Sequence, residues 1–122
     1  MRCPLFMAAL VLTAAAGARA EVVDIRWAAD GRFVHQGSVA AGKFVELCGK
    51  LPAGLNVRWG FEAGTVLDFN VHYHEGKAVV FPAKLSAAAA RDTLHTRIEQ
   101  DYCWMWSNKS AAPATLSVKL QR

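Results

Sequence analysis

The sequence predicts an all-β protein, an antiparallel β-sandwich of seven to eight strands. Three observations carry that reading. Apolar and polar residues alternate at period two through most of the chain, with almost no helical periodicity. Turn residues punctuate the alternation at short intervals. The stretch after an N-terminal leader, residues 21–122, has the length of one domain.

The elements follow in order. Val22-Val23-Asp24-Ile25-Arg26-Trp27 reads as a first strand, closed by Asp30-Gly31. A Gly-dotted stretch, Gln36 to Gly42, leads to a strand at Phe44-Val45-Glu46-Leu47-Cys48. Leu51-Pro52-Ala53-Gly54 is a turn with Pro and Gly suitably placed. Leu55, Val57, Trp59 and Phe61 then alternate with polar residues up to a turn at Ala63-Gly64. The clearest strand is Thr65 to His74, with Leu67, Phe69, Val71 and Tyr73 on one face and Asp68, Asn70, His72 and His74 on the other. Glu75-Gly76-Lys77 turns into Ala78 to Phe81, which Pro82 ends. The four alanines within Ser86 to Asp92 are allowed one or two helical turns. Strands at about 93–100 and 102–106 follow, and Ala114, Leu116, Val118 and Leu120 mark the last.

Residues 1–20 read as a cleaved signal peptide. Met1-Arg2 is a cationic start, Leu5 to Ala16 is uncharged and apolar, and Ala18-Arg19-Ala20 carries small residues where a signal peptidase reads. The apolar run is shorter than the roughly 20 residues a spanning helix needs. Cys3 precedes it and so is not a lipidated first mature residue. The expected product is a single exported domain, 21–122, periplasmic or secreted, with no membrane span.

Charge narrows the partners. Of 14 Lys and Arg, two lie in the leader, leaving 12 against 10 acidic residues and a net charge of +2. With no Lys/Arg run, nucleic acid is not an expected partner. Only Cys48 and Cys103 remain after the leader. In an oxidising compartment an isolated pair is expected as a disulfide. As thiolates the same two would instead be strong copper ligands, so the two readings compete.

Two segments resemble the GOLD (Golgi dynamics) domain. They are Gly54-Leu55-Asn56-Val57-Arg58-Trp59-Gly60-Phe61, followed by Leu67-Asp68-Phe69-Asn70-Val71, and the closing Tyr102-Cys103-Trp104-Met105-Trp106-Ser107-Asn108-Lys109-Ser110. The resemblance covers roughly residues 37–122 and implies a β-sandwich that binds rather than catalyses, while the Ala-rich leader and small free-standing domain suit an exported bacterial-type member. Several luminal members of that family carry a disulfide from an early strand to the closing one. Here Met105 occupies the position of their later cysteine, and Cys103 lies two residues before it, on the same face. The stalk, anchor and tail of the cargo receptors are missing, so a traffic role is not implied.

The family pattern does not account for His72-Tyr73-His74. A His-x-His on a strand places both imidazoles on one face with Cα atoms about 6.5–7 Å apart, within reach of one ion. Asp68 and Asn70 share that face as acceptors for the ring N–H groups. Met105 is the next candidate, because Tyr102, Trp104 and Trp106 are expected in the core and leave Cys103 and Met105 opposite. Two imidazoles and a thioether favour copper, with zinc possible. His95 is a candidate third nitrogen, whereas His35 and Glu75 read as solvated and Trp27 as available to a partner. No nucleophile elbow or phosphate loop is present, and no enzyme is expected. The first functional expectation is therefore a periplasmic copper chaperone or buffer centred on His72 and His74. The alternative is a protein-interaction module that docks an envelope protein.

Overall fold

A computed structural model describes residues 20–122. The expected leader falls almost wholly outside them. Seven strands follow one another: β1 (Glu21–Asp24), β2 (Arg32–Val39), β3 (Phe44–Leu51), β4 (Asn56–Glu75), β5 (Ala78–His95), β6 (Gln100–Ser107) and β7 (Ala114–Gln121). They form one sheet in the order β1-β3-β6-β4-β7-β2, with β5 against β4.

The long β4–β5 hairpin gives the sheet its shape. The first arm of β4 pairs with β7 (Arg58 opposite Gln121 through Ala63 opposite Leu116). Its second arm pairs with β6 (Asp68 opposite Ser107 through His72 opposite Cys103). β5 follows both arms along the other edge of β4, with register shifts at Glu62/Leu67 and Val71/Tyr73. The sheet therefore curls over at β4 and brings two layers face to face, β5-β4-β7-β2 and β5-β4-β6-β3-β1.

Period-two alternation fills the space between the layers. Val57, Trp59 and Phe61 point inward from the first arm of β4, and Leu67, Phe69 and Val71 from the second. Leu47 of β3, Tyr102, Trp104 and Trp106 of β6, and Leu116, Val118 and Leu120 of β7 meet them. Trp106 packs edge-on against Phe61, with centroids 5.6 Å apart, and lies 5.2 Å from Phe69. Phe61 and Phe69 sit on different arms of β4, so this aromatic cluster joins the two layers.

Several expectations are corrected. The expected turn at Ala63-Gly64 is a bulged crossing inside β4. A Cβ on Gly64 would sit 2.8 Å from Thr115 Oγ1, so glycine allows the close approach there. The alanine tract is strand in the middle of β5, not helix. Four alanines are too few to nucleate a stable helix alone, and the free edge of β4 offers backbone partners instead. The separate strands expected at 78–81 and after Thr93 are the two ends of this one strand. β2, in the stretch left without a strand, pairs with β7 along its whole length. β1 is parallel to β3, the one departure from antiparallel pairing among the described residues.

The turns at Asp30-Gly31, Leu51–Gly54 and Glu75–Lys77 each place their glycine at positive φ, as their residue types demand. Asn108 is buried beyond β6 and satisfies four groups. Its Nδ2 donates to Val39 O (3.0 Å) and Ala112 O (2.8 Å), while its Oδ1 accepts from Ser110 N and Ser110 Oγ. Among the described residues no helix is long and apolar enough to cross a membrane.

Candidate functional site

The outer face of the β5-β4-β6-β3-β1 layer gathers most of the residues singled out from the sequence. Strand pairing sets their rows. His72 lies opposite Cys103, and Cys103 opposite Cys48. One row along, Asn70 lies opposite Met105 and Met105 opposite Glu46. Cys48 and Cys103 form a disulfide between β3 and β6.

His72 is the centre of this face, and it is only 6% exposed although it points away from the core. Of the two histidines on this face, only His74 is exposed. Met105, Glu46 and the disulfide share the surface around His72, and Phe81 reaches its ring from β5 at 6.1 Å. The His74 ring stands perpendicular to that of His72, with centroids 5.3 Å apart. Nδ1 of His72 is 2.7 Å from Asn70 Oδ1, and Nε2 is 3.0 Å from Glu46 Oε1.

These contacts set competing influences on the ring. Burial is the largest and pushes the His72 pKa below its usual 6.5; the Glu46 carboxylate pulls it up and His74 pushes it down. The two oxygens as placed suit an imidazolium, yet burial outweighs them. A neutral ring gives its Nε2–H to the carboxylate, and Asn70 meets bare Nδ1 by rotating its amide.

Because the folded pKa lies below the unfolded one, the unfolded chain takes the proton first as pH falls. Stability is then lost as pH drops through 6.5 toward the folded pKa. The thermal midpoint should fall as pH drops below about 6.5, and His72→Gln should flatten that slope. A wild-type midpoint that rises toward acid, or a slope the substitution leaves unchanged, would contradict this account of the ring.

The structure brings His72, His74 and Met105 to one face but leaves His95 out. The His95 ring is hydrogen-bonded to Asn56 Oδ1 at the far end of the hairpin. It lines a cleft of about 340 Å³ together with Trp59, Tyr73, Tyr102 and Arg97. The ligand-type atoms that do converge are those of Glu46, His72 and Cys103, all within 4.8 Å of one another. Glu46 was not singled out in the sequence, because only the β3–β6–β4 pairing places it there. Trp27, expected as free for a partner, is partly buried against the core with Arg122 over its ring.

Around the polar centre lie apolar residues in outward positions. Val22 of β1 is 61% exposed, and Val79 and Phe81 of β5 are 42% and 45% exposed. Lys84 Nζ sits 5.0 Å from the centroid of the Phe81 ring. At the rim, Asp68 accepts from Ser86 Oγ at 2.6 Å and pairs with Lys109 at 3.1 Å. The Ser86 hydrogen bond, more than Lys109, holds the Asp68 carboxyl below its ordinary pKa.

No protein-family model matches the sequence, and no curated protein matches it either. Solved structures with similar folds exist. PliG of Aeromonas hydrophila, a periplasmic lysozyme inhibitor of g-type lysozyme, superposes with a TM-score of 0.63 at 12% identity over 84% of this chain and 96% of that one. PliG of Salmonella Typhimurium, described in the same words, gives 0.56 at 12% identity over 83% and 96%. The pre-peptidase C-terminal domain of a Bacillus anthracis collagenase gives 0.54 at 11% identity over 82% and 94%. At such identities the likeness is one of fold: a small all-β domain. The finer GOLD-like assignment has no counterpart among these three.

Proposed function

We propose that this protein is an exported, non-enzymatic interaction module of the cell envelope that docks another protein on the outer face of β5-β4-β6-β3-β1. The observation that carries this reading is the arrangement of that face. A solvated sheet face ordinarily alternates to polar residues, but here Val22, Val79, Phe81 and Met105 lie around a polar centre whose groups already have partners. Ion pairs such as Asp68–Lys109 sit at its margin. Exposed apolar surface inside a charged margin, with the polar groups it encloses already partnered, is how protein–protein interfaces are built.

Two further observations support the setting. The disulfide suits an oxidising compartment. Two of the similar folds belong to periplasmic inhibitors of lysozyme, which makes a g-type lysozyme the first partner to try. The copper-carrier reading has less support, because both ring nitrogens of His72 already face polar partners and His95 lies elsewhere.

The test is hydrolysis of bacterial cell wall by a g-type lysozyme as the purified protein is added. Inhibition that saturates at one protein per enzyme is the expected result. An unchanged rate at a large excess of protein removes this lysozyme as the partner.

A further inference from the structure

We infer that opening the Cys48–Cys103 disulfide creates a site for a divalent, thiophilic ion of the zinc class, with Cys48 Sγ, Cys103 Sγ, His72 Nε2 and Glu46 Oε1 as its four ligands. The inference does not rest on the docking role of the same face. It starts from the convergence of Glu46, His72 and Cys103 within 4.8 Å. In the closed form Cys103 has no thiolate to give, since its sulfur is bonded to Cys48. The disulfide therefore withholds Cys103 from that cluster, and opening it also frees Cys48 beside Cys103 to turn toward the other three.

The geometry asks for little movement. Sulfurs each about 2.3 Å from one tetrahedral ion lie roughly 3.8 Å apart. Cys48 and Cys103 face each other directly across β3 and β6, so side-chain rotation alone can open that gap. On the other side, His72 Nε2 and Glu46 Oε1 are 3.0 Å apart. Two such donors at about 2.0–2.1 Å from a tetrahedral ion are separated by about 3.3–3.4 Å. The ion takes the place of the proton between them. Two thiolates, one imidazole and one carboxylate form a donor set that suits zinc and cobalt, in contrast to the thioether-containing set expected for copper.

Asn70 provides the outer support. Its Oδ1 lies 2.7 Å from His72 Nδ1. Once the ion takes Nε2, the ring passes from the Nε2–H tautomer of the closed form to Nδ1–H, and Asn70 Oδ1 is placed to accept that proton. Metal-bound histidines commonly have such a partner on the second nitrogen.

The chemistry balances with an external dithiol as reductant. The dithiol passes two electrons and two protons to the disulfide and closes its own S–S bond, leaving Cys48 and Cys103 as thiols. Ion binding then releases both thiol protons to solvent, and the single proton of neutral His72 resides on Nδ1. An oxidant that reforms the disulfide expels the ion.

Cobalt(II) is the probe. The protein is reduced with dithiothreitol, freed of reductant without air, and titrated. The reduced protein should take up one cobalt, with thiolate-to-metal charge-transfer absorption and the intense ligand-field bands of a tetrahedral site. Zinc should displace it, and the oxidised protein should show neither band. His72→Ala and Glu46→Gln, each reduced, should bind at least about tenfold more weakly or with altered ligand-field bands, and Asn70→Ala about 10–100-fold more weakly. If reduction unfolds the chain, zinc must restore the far-ultraviolet circular dichroism of the oxidised protein. The proposal is overturned if the reduced protein shows no such bands, if the oxidised protein gives the same spectrum, or if His72→Ala and Glu46→Gln both match wild type. An unfolded reduced chain that zinc does not refold overturns it as well.

Discussion

Trp106→Ala is expected to destabilise the protein by about 3–5 kcal/mol, the range for removing a buried tryptophan. The ring is fully buried, and it touches Phe61 on one arm of β4 and Phe69 on the other. These two arms belong to opposite layers, so the cavity opens where the curl of the sheet is held shut. Collapse into that cavity would require the layers to shift together, and the remaining contacts of Trp59 with Phe69 resist such a shift. A domain of ordinary stability has only about 5–15 kcal/mol in total. At a stability near the middle of that range, about 10 kcal/mol, urea unfolding should show a midpoint lowered by about a third to a half. A loss under about 1 kcal/mol would mean that the layers are joined elsewhere.

Removing the disulfide is the second large effect. Cys48 and Cys103 are 55 residues apart, and the intervening segment contains both β4 and β5. Closing a loop of that length restricts the unfolded chain by about 4 kcal/mol in the chain-entropy account, and measured values are typically about 2–4 kcal/mol. The double substitution Cys48→Ala/Cys103→Ala should therefore lower the thermal midpoint by on the order of 10–30 °C for a domain near 100 residues. The fold should persist at low temperature, because β3 and β6 are paired over eight positions besides carrying the bridge. A midpoint within a few degrees of wild type would show that the unfolded chain is already compact across this loop.

Face parity was legible in the sequence; partnership between strands was not. The alternation of Leu67, Phe69 and Val71 with Asp68, Asn70 and His72 correctly separated core from outer face, because side-chain direction is local. The same holds for Tyr102, Trp104 and Trp106 against Cys103 and Met105. That β6 lies between β3 and β4 depends on contacts far apart in the chain. Only this order places Glu46 against His72, and no local pattern announces it. The bend at Ala63-Gly64 looked like a turn for a related reason: glycine marks both turns and close approaches, and Thr115 decides which. The alanine tract misled because intrinsic helix preference is weak beside an available strand edge. His95 satisfied its local parity, yet it lies at the opposite end of the hairpin from His72 and His74.

The proposed docking face lies around Phe81 and His72. The most direct measurement is the affinity of a g-type lysozyme for wild type, Phe81→Asp and Val34→Asp, by titration calorimetry. Phe81 is half-exposed on the proposed face, and Val34 is equally exposed on β2 of the other layer. A central aromatic anchor is commonly worth 2 kcal/mol or more, so Phe81→Asp should weaken binding by about 30-fold or more. Val34→Asp should leave it within about twofold. Equal losses from the two substitutions, or a larger loss from Val34→Asp, would contradict docking on this face, and no binding by wild type removes this lysozyme as the partner.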